Sequence, residues 1–268
     1  RAAVEHPAVE ADRVGSLIYA RIDHFQAGVG ADLEDLVLAR DPSTAKGLVL
    51  DLRDNPGGLL SEAVAVSDLF LDDGLIVATQ ARPSASLDAE EHYATAGGFP
   101  ADLPVVVLVN GLSASASEIV ASALQDTQRA RLVGETTYGK GSVQKVYTHL
   151  DPSTADGEAA LKLTVGWYTT PSGQPVAARE GRAPDVEVVF PRRPGPKQRV
   201  LDAIAALEAD LVDPPSPALA ARMAELTALA EALPDDPRYR ADLPWDLPLE
   251  KRLEADPQLR KAVELLGG

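Results

Sequence analysis

Three serines set two apart, Ser113, Ser115 and Ser117, stand just ahead of a helix-like segment in Asn110-Gly-Leu-Ser-Ala-Ser-Ala-Ser-Glu-Ile119. A hydroxyl there can be an N-cap, the usual fate of a serine before a helix. It can also be a nucleophile, held where free backbone N–H groups suit a developing anion. On residue types alone any of the three fits either role. Farther on, Gly134-Glu-Thr-Thr-Tyr-Gly-Lys-Gly141 brackets Lys140 between two glycines, so that backbone can approach it from both sides. Lysine takes a proton from a hydroxyl only when uncharged. Lowering its reference pKa of about 10.4 to near 7 requires about 4 kcal/mol in favour of the neutral amine. Desolvation shifts buried lysines by up to about 3–5 units, and Gly139, Gly141, Tyr138 and Val143 suggest a tight, partly apolar enclosure. A third block, Asp54-Asn-Pro-Gly-Gly58, reads by itself as a turn closing a strand. Beside a nucleophile, its glycine N–H groups can serve as oxyanion donors.

The elements that must position these blocks follow from periodicity. The apolar runs Gly47–Arg53 and Pro104–Val109 read as buried strands. Each is followed by a turn and then a helical pattern: Ala63, Val66, Leu69 and Phe70 face one side within 61–71, and Ile119, Val120, Ala123 and Leu124 within 118–124. Repeated β-then-α units imply a parallel sheet with crossover helices. Residues 15–25 alternate as a strand, and Leu33, Leu36 and Val37 share one face of a helix over 31–40. Residues 131–133, 161–167 and 185–189 supply further strands, and 80–103 reads as a loop or hairpin excursion. Residues 1–13 are polar and alanine-rich, a linker or loose start. From Pro191 the character changes to amphipathic helical segments with proline-rich joints, closed by Asp256–Leu266. This helical extension, 191–268, reads as a cap on the core, with a homodimer contact as the alternative.

Taken together, the blocks Gly47–Gly58, Ser113–Ile119, Gly134-Glu135, Tyr138–Gln144 and Gly181-Arg-Ala-Pro-Asp185 resemble the carboxyl-terminal processing proteases (tail-specific proteases), serine peptidases with a Ser–Lys dyad. The resemblance spans roughly residues 14–190. It implies an α/β (α+β) protein with a ClpP/crotonase-like β-sheet core and flanking helices, followed by the C-terminal helical extension. It further implies Ser115 as nucleophile, Lys140 as base, Gln144 as the residue orienting Lys140, and the backbone N–H groups of Gly58 and Ala116 as oxyanion donors, with Gly57 close behind Gly58. Substrates would be proteins or peptides with accessible C-termini, and the location would be the periplasm or cell envelope. The family usually carries a PDZ domain upstream, and the stretch before the first strand is too short for one. A chain opening on Arg1 is read as a processed or truncated form.

Composition narrows the field. Of the 268 residues 45% are hydrophobic, enough for a core, and a formal charge of −16 argues against nucleic acid or an anionic membrane as partner. Without cysteine there are no disulfides or thiolate metal sites. No apolar run approaches a membrane span, and no HExxH, phosphate loop or histidine cluster suggests a metal or nucleotide, so no cofactor is expected. His6, His24, His92 and His149, the only candidates for a Ser–His–Asp triad, accompany no distinctive motif. Asp51 and Arg53 alternate with Leu50 and Leu52 and are read as a buried ion pair supporting the Asn55–Gly58 turn. Two rival readings remain at this point: a non-proteolytic binding or scaffold protein of the same fold, and a latent protease that needs a partner to align Lys140.

Overall fold

A computed structural model describes residues 7–81, 89–147, 161–176, 180–190 and 247–267, together with positions 204, 224, 227 and 228. Contacts divide the chain into two units: Arg1–Val189 with Leu249–Gly268, and Phe190–Pro248. The final helical segment, read from sequence with the extension, thus belongs with the first unit. Most of the second unit, including the expected helices of 200–230 and any dimer contact through them, lies outside the described residues.

In chain order the described elements are β1 (Val9–Val14), β2 (Leu17–Ile22), α1 (Val29–Leu38), β3 (Gly47–Asp51), α2 (Leu60–Asp68), β4 (Leu75–Ala81), β5 (Glu91–Tyr93), β6 (Val105–Val109), α3 (Ala116–Asp126), β7 (Ala130–Gly134), β8 (Ser142–Tyr147), β9 (Leu161–Thr169), β10 (Val186–Glu187), α4 (Leu249–Ala255) and α5 (Pro257–Leu265). The larger sheet has the order β1-β2-β3-β6-β7-β10. From β2 to β10 its strands are parallel, as the β-then-α pattern implies. Every residue of β2, β3 and β6 is buried. Continuous apolar strands of this kind require cover on both faces, and both faces are covered. Side chains of one parity, among them Ile18, Leu50 and Val107, pack with α1, α2 and α3. Those of the other parity, such as Tyr19, Val49 and Leu108, pack with Leu259, Ala262 and Leu266 at the end of the chain.

The start of the chain differs from expectation. Residues Val9–Val14 are not a loose linker but an edge strand, antiparallel to β2 with Val9 opposite Ile22 and Val14 opposite Leu17. Its outward positions carry Glu10, Asp12 and Arg13, the polar dressing that keeps a sheet edge from pairing further and that makes the segment look unstructured in sequence. A second, antiparallel sheet runs β5-β4-β9-β8, so the 80–103 excursion is one arm of a hairpin between β4 and β5. No helix among the described residues is long and apolar enough to cross a membrane.

At the C-terminal end of β3 the alternation of Asp51 and Arg53 produces a buried ionic knot. Both side chains are fully inaccessible, and Arg53 Nη2 lies 2.5 Å from Asp51 Oδ2. Arg53 Nη1 reaches Asp256 Oδ2 at 2.7 Å and donates to Gln258 Oε1 at 3.0 Å. The Tyr19 hydroxyl donates to Asp51 at 2.8 Å. Asp256 also caps α5, accepting from the N–H groups of Gln258 and Leu259 at 3.0 Å each. The last helix is therefore tied to the strand end that leads into the Asn55–Gly58 turn. Burial pushes the Asp51 carboxyl up, but the Arg53 charge and its hydrogen bonds outweigh this and hold it below the usual carboxylate range.

Because that folded value is depressed, Asp51 stabilises the fold above its unfolded pKa of about 3.9, and the contribution is lost as pH falls through the lower folded value. Replacing Arg53 by Met leaves two carboxylates without their cation and is expected to cost about 3–5 kcal/mol at neutral pH. Urea titrations from pH 7 to pH 3 should show wild type weakening in acid while Arg53→Met recovers part of its loss there, since burial then acts on Asp51 without its main opposing charge. Identical pH trends in the two proteins would show that the knot is not the stabilising group.

Candidate active site

Buried strand β6 delivers the chain to Asn110, and α3 carries it away from Ala116; between them lies the serine turn. Ser113 and Ser117 are buried and their hydroxyls are spent on backbone, Ser113 donating to Leu52 O at 2.7 Å and Ser117 to Asn55 O at 3.0 Å. Ser115 is different. It is half-buried and sits at φ 57°, ψ −112°, directly before the first residue of α3. A non-glycine residue held there stores strain of about 1–3 kcal/mol. Strand, strained turn and helix together present a serine at a helix N-terminus, the construction serine hydrolases use to expose a nucleophile.

The Asn55–Gly58 turn is packed against this one. The Asn55 carbonyl accepts from Ala114 N–H at 3.0 Å as well as from Ser117. The Asn55 amide donates to Ile22 O at 2.8 Å, while its oxygen accepts from Gly57 N–H at 2.9 Å. Asn110 closes the far side, donating to Asp54 Oδ1 at 2.8 Å and accepting from Asp54 N–H at 3.1 Å. Contact at Gly57 is so close that a Cβ there would lie 2.6 Å from Ala114 O and 2.9 Å from both Ala116 N and Ser115 Cβ, at a φ of +96°. Only glycine fits. Gly58 is bridged to Phe25, but the bridge uses the carbonyl of Gly57 and the N–H of Leu59. Among the described residues the N–H groups of Gly58 and Ala116 therefore have no acceptor, one in the Asn55–Gly58 turn and one directly after Ser115.

The Lys140 turn reaches the same place through a residue that sequence reasoning passed over. Glu118 is fully buried, and its carboxylate accepts four bonds: from Ser115 N–H at 2.9 Å, Thr137 Oγ1 at 2.6 Å, Gly139 N–H at 2.8 Å and Lys140 N–H at 2.8 Å. Tyr138 N–H adds a bond to Ser113 O at 2.9 Å. The signal was present as Ser115-x-x-Glu118, the spacing by which a glutamate in the first helical turn reaches back to the N-cap amide.

One expectation is corrected. The side chain of Lys140 is not enclosed; it is exposed, and among the described residues its ammonium makes no hydrogen bond with Ser115. The glycines let the backbone dock onto Glu118, which fixes the main chain and leaves the side chain to project outward. Gln144, expected to orient Lys140, is exposed on β8 at a bulge in the β8–β9 ladder, with no hydrogen bond to Lys140 among the described residues. Of the histidines, His24 contacts the Gln26 side chain at 2.9 Å and His92 lies on β5, while His6 and His149 fall outside the described residues. No cluster of three or more His, Cys, Asp or Glu able to hold a metal stands among the described residues.

A parallel α/β layer with a strained serine between strand and helix, flanked by two uncommitted N–H groups, defines a protein of serine-hydrolase build. The chain belongs to peptidase family S41, whose model matches residues 16–188. It is 42% identical over 181 residues to the carboxy-terminal-processing protease of Bartonella bacilliformis, covering 66% of this chain and 40% of that protein. To the carboxy-terminal processing protease CtpA of Bacillus subtilis it is 36% identical over 174 residues, covering 64% of this chain and 34% of that one. The matched region thus spans about two fifths or less of these relatives' length. Among solved structures, the photosystem II D1 C-terminal processing protease superposes with a TM-score of 0.59 at 30% identity, covering 69% of this chain and 49% of that chain. A lipoprotein of Streptococcus agalactiae, at 15% identity and a TM-score of 0.53, shares the fold over 76% of this chain and 71% of that chain.

Truncating Glu118 to Ala would leave one hydroxyl and three N–H groups without their acceptor and is expected to lower stability by about 2–5 kcal/mol, read from the urea midpoint. A loss under about 1 kcal/mol would mean that the four bonds contribute little.

Proposed function

We propose that this chain is a serine endopeptidase of the C-terminal processing type, cleaving protein or peptide substrates near accessible C-termini through an acyl-enzyme. The observation that supports the reading is the Ser115 turn: a strained, half-buried serine, with the N–H of Ala116 after it and that of Gly58 in the adjoining turn both without an acceptor among the described residues. In this mechanism Ser115 Oγ attacks the scissile carbonyl carbon while its proton passes to the neutral Lys140 amine. The carbonyl oxygen becomes an oxyanion held by the Gly58 and Ala116 N–H groups. As the tetrahedral intermediate collapses, the C–N bond breaks and Lys140 returns the proton to the departing amine. A water, deprotonated by Lys140, then hydrolyses the ester and regenerates Ser115.

The exposed Lys140 defines a resting arrangement. To act as base it must turn toward Ser115 and lose its hydration, and a substrate lying across the site would exclude the water that keeps the amine charged. Gln144 on β8 then has the role of orienting it. Among the described strands β8 is an outer strand of its sheet, so an extended tail can add along it by backbone pairing. A periplasmic or cell-envelope location belongs to the same proposal.

With unfolded casein as substrate, Ser115→Ala, Lys140→Ala and Lys140→Arg should each lower turnover by at least about 10³-fold. The arginine variant keeps the charge but cannot deprotonate, so it separates proton transfer from electrostatics. Undiminished cleavage by Ser115→Ala or Lys140→Ala rules the dyad out. Labelling of Ser115 by a fluorophosphonate would exclude a purely scaffolding role.

A further inference from the structure

The turn carrying Lys140 is held on its other side by a segment the mechanism does not use, Gly181–Asp185. Its attachment centres on one residue, through both side chain and backbone. Thr137 is buried, and its Oγ1 donates to Glu118 Oε1 at 2.6 Å while accepting from Arg182 N–H at 2.7 Å. Its own N–H donates to Arg182 O at 3.0 Å. Gly181, at φ +70°, presses so closely that a Cβ there would stand 2.1 Å from Thr137 O. The Arg182 guanidinium extends to the far end of α3, bonding Gln125 and pairing with Asp126. Gln125 in turn donates to Asp185 at 2.9 Å, and Asp185 accepts from Leu132 N–H of β7 at 2.7 Å. The Thr137 hydroxyl thus connects both ends of α3: the first turn through Glu118, the last through Arg182.

We propose that Thr137 is a positioning residue of the site, and that Gly181–Asp185 is the clamp that sets the Lys140 turn relative to Ser115; the inference rests on the dyad reading above. Only a hydroxyl can donate to a carboxylate and accept from an amide through one atom. α3 is a rigid spacer, since its backbone bonds are internal. A turn pinned to both of its ends cannot slide along it. Without the Thr137 hydroxyl the turn keeps the Glu118 bonds of Gly139 and Lys140, the Tyr138 N–H bond to Ser113 O and the Thr137 N–H bond to Arg182 O, but it loses the one atom that joins the Glu118 carboxylate to the Arg182 amide. Misplacing a catalytic group by about 1 Å can cost about 10²-fold in rate, so the clamp acts on the chemical step and not on substrate affinity.

The test uses the full chain, with steady-state cleavage of a casein-derived peptide and thermal melts to establish folding. Thr137→Val keeps the volume but removes the hydroxyl; Thr137→Ser keeps the hydroxyl; Arg182→Met cuts the link to Gln125 and Asp126 without touching Thr137. Expected are a fall in kcat of about 10–100-fold for Thr137→Val, a smaller fall for Arg182→Met, and KM within about twofold for both, with Thr137→Ser restoring kcat to within about threefold of wild type. If Thr137→Val does not fold, Arg182→Met decides. Folded variants that keep wild-type kcat, or that change KM alone, overturn the clamp while leaving the dyad intact. Absence of Ser115-dependent cleavage in wild type overturns the dyad and the clamp together.

Discussion

The site depends on a single buried carboxylate. Glu118 has no access to water, yet four donors from two distant segments converge on it: Ser115 at the head of its own helix, and Thr137, Gly139 and Lys140 from the turn after β7. A dry carboxylate is costly unless its oxygens are fully bonded. The two turns are therefore bound to each other by the penalty that separating them would incur. The same carboxylate grips the amide of the strained Ser115 and so helps to hold a backbone conformation that serine would not adopt unaided.

Around this centre the fold works by layering. The parallel strands end at nearly the same level, and the turns that follow β3 and β6 meet there, which is why Asn55 can accept from both Ala114 and Ser117. Behind them the Arg53 knot ties β3 to α5 from the opposite face of the sheet. Ions buried so completely contribute little net stability when compared with an apolar filling. Their effect is specific geometry, because Arg53 has few arrangements that satisfy Asp51, Asp256 and Gln258 at once.

Much of the architecture was legible in advance because buried parallel strands have a plain chemical signature. Gly47–Asp51 and Val105–Val109 are continuous apolar runs closed by turn residues, and the helices after them keep one apolar face. Elements without that signature were misread. β1 alternates charged and apolar residues as an edge strand does and passes for a linker, and β8 begins inside the Lys140 block, to which periodicity assigned no element. The segment Gly181–Asp185 could be recognised as a motif, but nothing in its composition reveals that it meets Thr137.

Residue types alone determined that a serine, a lysine and a glycine turn would be available, that the sheet would be parallel and that no thiol chemistry could occur. Those conclusions depend on local periodicity and on which groups can exist at all. Tertiary structure decided which of three serines stands strained and accessible, which N–H groups lack acceptors, that Glu118 joins the two turns, and that the Lys140 side chain rests in solvent. These are outcomes of competition among hydrogen-bonding groups far apart in the chain, and the competition is settled only when folding brings them into one place and removes the water between them.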